Sequence, residues 1–282
     1  MTYPTAAVQP VGVRGRPRRL RDAVGLAVIV TFILLPLVPI LVWSFSATWF
    51  YPDLIPTRFD LRSWEYLFSP NSKVVPAFMT SLTIALIVAV IASLIGLSAG
   101  RAMGLHSYRG KRLIYFLVLA PEIVPPLTVA MGNQVAFIKL GLADTVLGVI
   151  LVQLVPTIPY VTLVMSAVYS NYDLDNEAQA RVLGASSWRA FRHVTLPAVF
   201  PGLVVAALFA FLIAWSEYIM TLLIGGGVVQ TLPLVLFAFA TSDLSVASAV
   251  CMLFVAPAIV IMFVSSRFLS GDRSTMGGFG RL

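Results

Sequence analysis

Charge is what this sequence has least of. Asp, Glu, Lys and Arg make up 11% of its 282 residues, against roughly 25% in an ordinary soluble domain. A soluble globule needs charged side chains over its surface, so a cytosolic enzyme is excluded. Cysteine is almost absent: Cys251 stands alone in an apolar run, so no intramolecular disulfide can form. Two histidines and one cysteine are too few for a metal cluster. The low hydrophobicity that marks disorder is missing too, since 59% of the residues are hydrophobic and the mean hydropathy is +0.93. The class that remains is an all-α integral membrane protein with one helical domain.

A helix that crosses a bilayer needs about 20 mostly apolar residues. Six stretches qualify: Ala23–Phe45, Phe78–Gly100, Leu113–Gly132, Thr145–Tyr169, Leu196–Ile224 and Ala247–Phe268. The first follows a basic run, Arg14, Arg16, Arg18, Arg19 and Arg21, as a signal peptide would. Its apolar core is too long for one, and Phe45–Phe50 offers no small-residue cleavage site, so a retained anchor is expected. Pro121, Pro125 and Pro126 in the third stretch, and Pro156 and Pro159 in the fourth, should kink or break their helices. Carbonyls freed in this way need partners, which places both helices in the bundle interior. A β-barrel would show alternating segments of roughly ten residues. These runs are continuously apolar and longer.

The polar segments between the stretches fall into two sets. Residues 1–22, 101–112 and 170–195 and the end of the chain from Arg267 carry fifteen Lys and Arg; the other set carries Arg58, Arg62, Lys73 and Lys139. That asymmetry predicts six spans with both termini cytoplasmic. The chain then reads as a basic tail (1–22), a membrane domain (23–268) and a second tail (269–282). Basic residues spread over four segments also argue against a nucleic-acid partner. On the outer side, Trp49, Phe50, Tyr51, Trp64 and Tyr66 suit an aromatic belt at the lipid bilayer surface. Gly225-Gly226-Gly227, followed by Gln230-Thr231-Leu232-Pro233, reads as a flexible loop.

The most informative polar segment is 170–195. Asp173 or Asp175 can cap a helix starting near Asn176, with Glu177 favourable in its first turn. Gly184 can end it in a left-handed conformation. Ser186 or Ser187 then caps a second helix, Trp188–His193, running to Leu196-Pro197. Two short helices joined at a glycine make a stiff, exposed object suited to docking on a cytoplasmic partner.

On these residues the chain resembles the membrane subunits of binding-protein-dependent ABC importers. Their EAA loop reads Glu-Ala-Ala, three residues, Gly, nine residues, Ile, one residue, Leu-Pro. Gly184, Val194 and Leu196-Pro197 stand at that spacing, and Gly184-Ala185-Ser186 matches as well. One departure is visible: the usual Glu position is Ala178, and Glu177 lies one residue earlier. The resemblance extends over the N-terminal span, the outer loop with Trp64, the Ser81 region and Trp215-Ser216-Glu217. Val182-Leu183-Gly184 and Pro121-Glu122-Ile123-Val124-Pro125-Pro126 resemble the spermidine/putrescine-type branch, whereas sugar permeases more often carry Asp before that glycine.

The resemblance implies a type I importer permease in the plasma membrane of a prokaryote. It implies a second, homologous permease subunit as heterodimeric partner, two ATPase subunits that hold ATP and magnesium, and an extracytoplasmic substrate-binding protein. Glu177, Ala178, Ala180, Arg181, Gly184, Ala185, Ser186, Leu196 and Pro197 would make the ATPase-coupling element, seated in a groove on the ATPase. The chain has no Gly-x-x-x-x-Gly-Lys-Ser/Thr loop of its own, so it conducts and couples without catalysing, and it needs no cofactor.

Carboxylates inside a membrane are costly and mark functional positions. Glu122 and Glu217 are such residues, with Gln153, Tyr160 and Trp215 as companions along a solute path, where a cationic solute could meet an aromatic face. The alternatives are structural: Glu217 in interfacial water, Glu122 bonded to a neighbouring helix. Gly96 and Gly100 form a pair that permits close helix approach. Polyamine is the expected substrate, with a sugar or oligosaccharide as alternative. An ion-coupled secondary transporter is the rival from another class, but no internal repeat supports it.

Overall fold

The computed structural model describes residues 18–49, 56 and 58–270. Arg14 and Arg16 of the basic tail, Phe50 and Tyr51, and the tail beyond Ser270 lie outside the described residues.

The chain opens with α1 (Arg18–Leu34) and α2 (Leu37–Ser44). The stretch expected as one span is divided here at Leu35-Pro36, because Pro36 lacks an N–H for the ladder and its ring crowds the preceding turn. At 17 and 8 residues, neither half has the length of a crossing helix. A short antiparallel pair, β1 (Ser46–Thr48) and β2 (Arg58–Phe59), leads to α3 (Arg62–Phe68). Then come α4 (Val74–Leu105), α5 (Lys111–Ile123), α6 (Pro126–Lys139) and α7 (Val146–Ser170). Two short helices, α8 (Asp175–Val182) and α9 (Ser187–Ala190), lead through a wide π turn (Phe191–Thr195) into α10 (Leu196–Ser216). The chain continues through α11 (Ile219–Gly225) and α12 (Leu232–Ala240) to α13 (Leu244–Ser270).

Helices α4 and α7 form the central pair, and α10 lies against both. Glycine makes this possible. A Cβ at Gly96 would lie 2.3 Å from Val161 Cγ1, one at Gly100 2.4 Å from Met165 Cβ, and one at Gly104 2.6 Å from Tyr169 Cβ. The four-residue spacing on both helices keeps one face of α4 bare along a parallel seam, as the Gly96–Gly100 pair suggested. Gly104 extends that seam beyond the expected end of the span.

Four helical segments are long and apolar enough to cross a membrane: α4, α7, Ser187–Ser216 and Leu244–Phe263. Helices α5 and α6 make a fifth if counted as one span, but they are bent by 97°. The break falls at Val124, which is extended (φ −82°, ψ 136°) as a residue before proline must be. Of the two proline-bearing stretches, α7 is the deeply interior one; in the other, Ala130 of α6 is buried. It runs unbroken through Pro156 and Pro159, and the Thr157 hydroxyl adds a donor to the Gln153 carbonyl at 2.6 Å. Helix α5 has no buried residue, which corrects the expectation that it packs inside this bundle.

The triglycine stretch is not a slack loop. Gly226 (φ 52°) and Gly227 (φ 76°) turn the chain tightly, and the Asp144 N–H donates to the Ile224 carbonyl at 2.7 Å. A Cβ at Gly226 would lie 1.8 Å from Asp144 Oδ1, so only glycine permits this clasp.

Candidate coupling site and solute path

The loop between α7 and α10 is two short helices hinged at a glycine, as its sequence indicates. Neither acidic candidate is the N-cap, which is Leu174 without a side-chain cap; Asp173 Oδ1, one residue earlier, accepts the Asp175 N–H at 2.9 Å. Gly184 (φ +91°) ends α8, and the Ala185 N–H reaches back to the Ala180 carbonyl at 3.0 Å. Ser186 caps α9 by accepting the Arg189 N–H. The second helix does not stop at Leu196-Pro197. Pro197 cannot donate, and its ring would press on the carbonyl four residues back. A π turn widens the helix there, with the Leu196 N–H on the Phe191 carbonyl, and the helix runs on into α10.

Glu177 faces inward. It is 8% exposed, and the Arg101 Nη2 near the end of α4 donates to its Oε1 at 3.0 Å and Oε2 at 2.9 Å. The Thr195 hydroxyl, in the π turn, donates to Oε2 at 3.0 Å. Tyr172 shares a 3.2 Å hydrogen bond with Thr195, and the Arg101 guanidinium lies over the Phe191 ring at 5.4 Å. One carboxylate therefore ties α8, α4 and the start of α10 together. In the sequence Arg101 reads only as an orientation signal. The available clue was its place one step round the helix from the Gly100 seam.

The outward face carries three large apolar side chains among polar ones. Val182 and Leu183 are each 88% exposed and Trp188 is 69% exposed. Ala178, Arg181, Gly184, Ser186 and Pro197 are exposed as well, while Ala180, Ala185 and Leu196 are partly covered. Arg181 is hydrogen-bonded to the Ser187 hydroxyl, which braces the hinge. The motif alone did not single out Val182, Leu183 or Trp188 as contact residues, although three apolar side chains in a polar loop are a visible signal.

The expected path residues do not form one site. Trp215 is 2% exposed, its rings stacked with Phe211 and Phe254 and its N–H on the Phe254 carbonyl at 3.0 Å. Its faces are occupied, so it offers no cation–π surface. Gln153 is buried and donates to Thr221 Oγ1 at 2.9 Å. Glu217 sits at the break between α10 and α11, where its Oε1 accepts the Met220 N–H at 2.8 Å. It thus satisfies an orphan donor of α11. Only Glu122 and Tyr160 come near one another, and Glu122 Oε1 is buried without a hydrogen-bond partner. No group of three or more His, Cys, Asp or Glu able to hold a metal occurs among the described residues.

A bundle of apolar helices with a rigid, exposed helix–glycine–helix loop defines a membrane permease that works with an external motor. Residues 92–273 match the family described as binding-protein-dependent transport system inner membrane component, and the chain belongs to that family. It is a non-catalytic membrane subunit of an ABC transporter, whose ATPase is a separate chain.

The trehalose transport system permease SugB of Mycobacterium tuberculosis is 30% identical over 69% of this chain and 71% of its own length. The molybdenum transport system permease ModB of Mycobacterium bovis is 28% identical over 73% and 83%. The putative 2-aminoethylphosphonate permease PhnV of Salmonella typhimurium is 26% identical over 88% and 92%. Among solved structures, a bacterial ABC transporter involved in import of the acidic polysaccharide alginate shares the fold, with a TM-score of 0.61 at 19% identity. That match covers 92% of this chain and 99% of the other.

Proposed function

We propose that this chain is one of two paired transmembrane subunits of an importer in a prokaryotic plasma membrane, with both termini cytoplasmic. Its α8–α9 loop docks on one of two ATPases that bind ATP and magnesium, and a binding protein delivers solute to the opposite face. The observation that carries this reading is the exposed triad Val182, Leu183 and Trp188 on a loop braced from behind by Arg101 and Glu177. Apolar anchors at the centre of a contact contribute most of its energy. Within the motif, Glu177 acts as the brace, and Ala178, Arg181, Gly184 and Ser186 shape the contact.

The solute is a polar small molecule of carbohydrate or oxyanion type. The expectation of a polyamine rested on the branch resemblance and on the carboxylates Glu122 and Glu217, of which Glu217 is engaged in a helix cap. Relatives named for trehalose, diacetylchitobiose and molybdenum fit the revised class.

Docking is tested by Leu183→Asp and Trp188→Asp, scored by co-purification of the ATPase from membranes. Loss of the ATPase with the permease still folded is the expected result. Undiminished ATPase recovery in both variants would overturn the docking assignment.

A further inference from the structure

At the end of the bundle opposite the coupling loop lies a cleft of about 590 Å³ that the coupling function does not use. Lys73, on its wall, precedes the first residue of α4, and Arg101 stands near the other end of that helix. At 1.5 Å per residue the two are about 40 Å apart along the helix axis. The cleft lies where α3, α11 and α12 meet, and the residues that decide its chemistry are Tyr66, Asn71, Lys73, Tyr218, Gln230 and Phe237. The Tyr218 and Phe237 rings stack with centroids 4.2 Å apart and an interplanar angle of 26°, which fixes an aromatic wall. Facing chemistry is supplied by two amides, two phenols and one ammonium.

No Asp or Glu lines the cleft, and Lys73 makes no ion pair among the described residues. Glu217, next to Tyr218 in sequence, spends one oxygen on the Met220 N–H. A cationic solute would therefore meet a positive wall with no lining carboxylate to offset it. A sugar ring has what the cleft can use: C–H faces to lie on the aromatic wall and hydroxyls for the amides and phenols. A carboxylate on that sugar would find Lys73. The volume lies inside the range of about 300–1,000 Å³ typical of small-molecule sites.

We propose that this cleft is a solute subsite for a neutral or acidic mono- or disaccharide, occupied before the solute enters the bundle. The proposal rests on the importer reading above and narrows its substrate to the carbohydrate class.

The test uses the permease–ATPase complex in nanodiscs, with trehalose, glucuronic acid and putrescine as probes in saturation-transfer NMR. Lys73→Gln and Phe237→Ala change exposed side chains, and the melting temperature checks that each variant is folded. Both saccharides should take saturation from the protein and putrescine should not. Phe237→Ala should weaken both saccharides by about tenfold, the scale of one lost aromatic face. Lys73→Gln should weaken glucuronic acid and leave trehalose nearly unchanged. Signal from putrescine alone, no saccharide signal, or saccharide signals unmoved by both substitutions would overturn the subsite. So would variants that leave saccharide signals intact and release only the binding protein, which would make the cleft a docking face. Failure of the wild-type chain to hold an ATPase at all would instead overturn the importer reading, so the two failures are distinguishable.

Discussion

Arg101 and Glu177, 76 positions apart in the chain, share hydrogen bonds of 3.0 and 2.9 Å across the gap between α4 and α8. The α8–α9 loop, proposed above as the docking element, is therefore fastened to the central helix of the bundle. One ion pair joins α8 to α4, and the Thr195 hydroxyl joins α8 to the segment leading into α10. Two residues remote in the sequence make one structural joint.

Removing one charge should loosen that joint. Glu177→Gln keeps the shape and leaves Arg101 without a counter-charge. The cost should be about 2–3 kcal/mol, below the 3–5 typical of fully buried pairs, because the Arg101 side chain is 29% exposed. The melting temperature of the complex and the solute moved per ATP should both fall. The double change Arg101→Glu with Glu177→Arg should recover part of each loss. A contact without mechanical function would leave the transport ratio where it was.

The glycine seam should tolerate no side chain. Gly100→Ala sets a Cβ 2.4 Å from Met165 Cβ and 2.9 Å from its backbone carbon, so α4 and α7 must separate. Overpacking of this kind costs about 1–3 kcal/mol. Gly132→Ala is the control, since nothing lies within 4 Å of its added Cβ. Thermal melting of the two variants side by side should show a lower midpoint for Gly100→Ala and none of that loss for Gly132→Ala.

Gly184→Ala separates strain from crowding. The position has open space around it, but its φ is +91°. An L residue in the left-handed region costs roughly 1–2 kcal/mol. The hinge between α8 and α9 should reorganise, displacing Leu183 from Trp188 and weakening ATPase co-purification. Gly184→Asn, which adopts that conformation more easily, should retain more of the ATPase than alanine does.

Trp215 and Glu217 should behave as parts of the scaffold. Trp215→Ala removes a ring held between Phe211 and Phe254, which should cost about 3–5 kcal/mol. Glu217→Ala should cost about 1 kcal/mol as a lost cap, and Glu217→Gln less because an acceptor oxygen remains. Solute preference, measured by competition in the transport assay, should be the same in all three. A changed preference in any of them would return that residue to the path.

Much of the architecture was legible because its causes are local. Continuous apolar runs specify membrane helices, Gly184 specifies a hinge, and Ser186 specifies a cap, each within a few residues. The bend at Val124-Pro125-Pro126 was legible for the same reason. What escaped is what depends on distance along the chain. Nothing near Glu177 indicates that Arg101 will reach it. Nothing near Trp215 indicates that Phe254 will cover its face. Its place within an apolar stretch made Glu217 a candidate for the solute path, and its partner is a backbone N–H three residues on. Pro36 is the exception, a local breaker within plain reach that the length of its apolar stretch disguised.

The wide turn at Phe191–Thr195 sets the phase between two faces. Each residue of an α-helix advances the side-chain direction by about 100°. Upstream of the turn, the chain must present Trp188 outward; within it, Thr195 must meet Glu177; downstream, Phe211 and Trp215 must enter the core. The extra residue held in the turn reconciles these directions. Deleting one residue there would leave every helix intact yet rotate the bundle's inner face by about 100° relative to the exposed face of α8 and α9. The length of this segment therefore constrains the architecture as much as the identity of any residue in it.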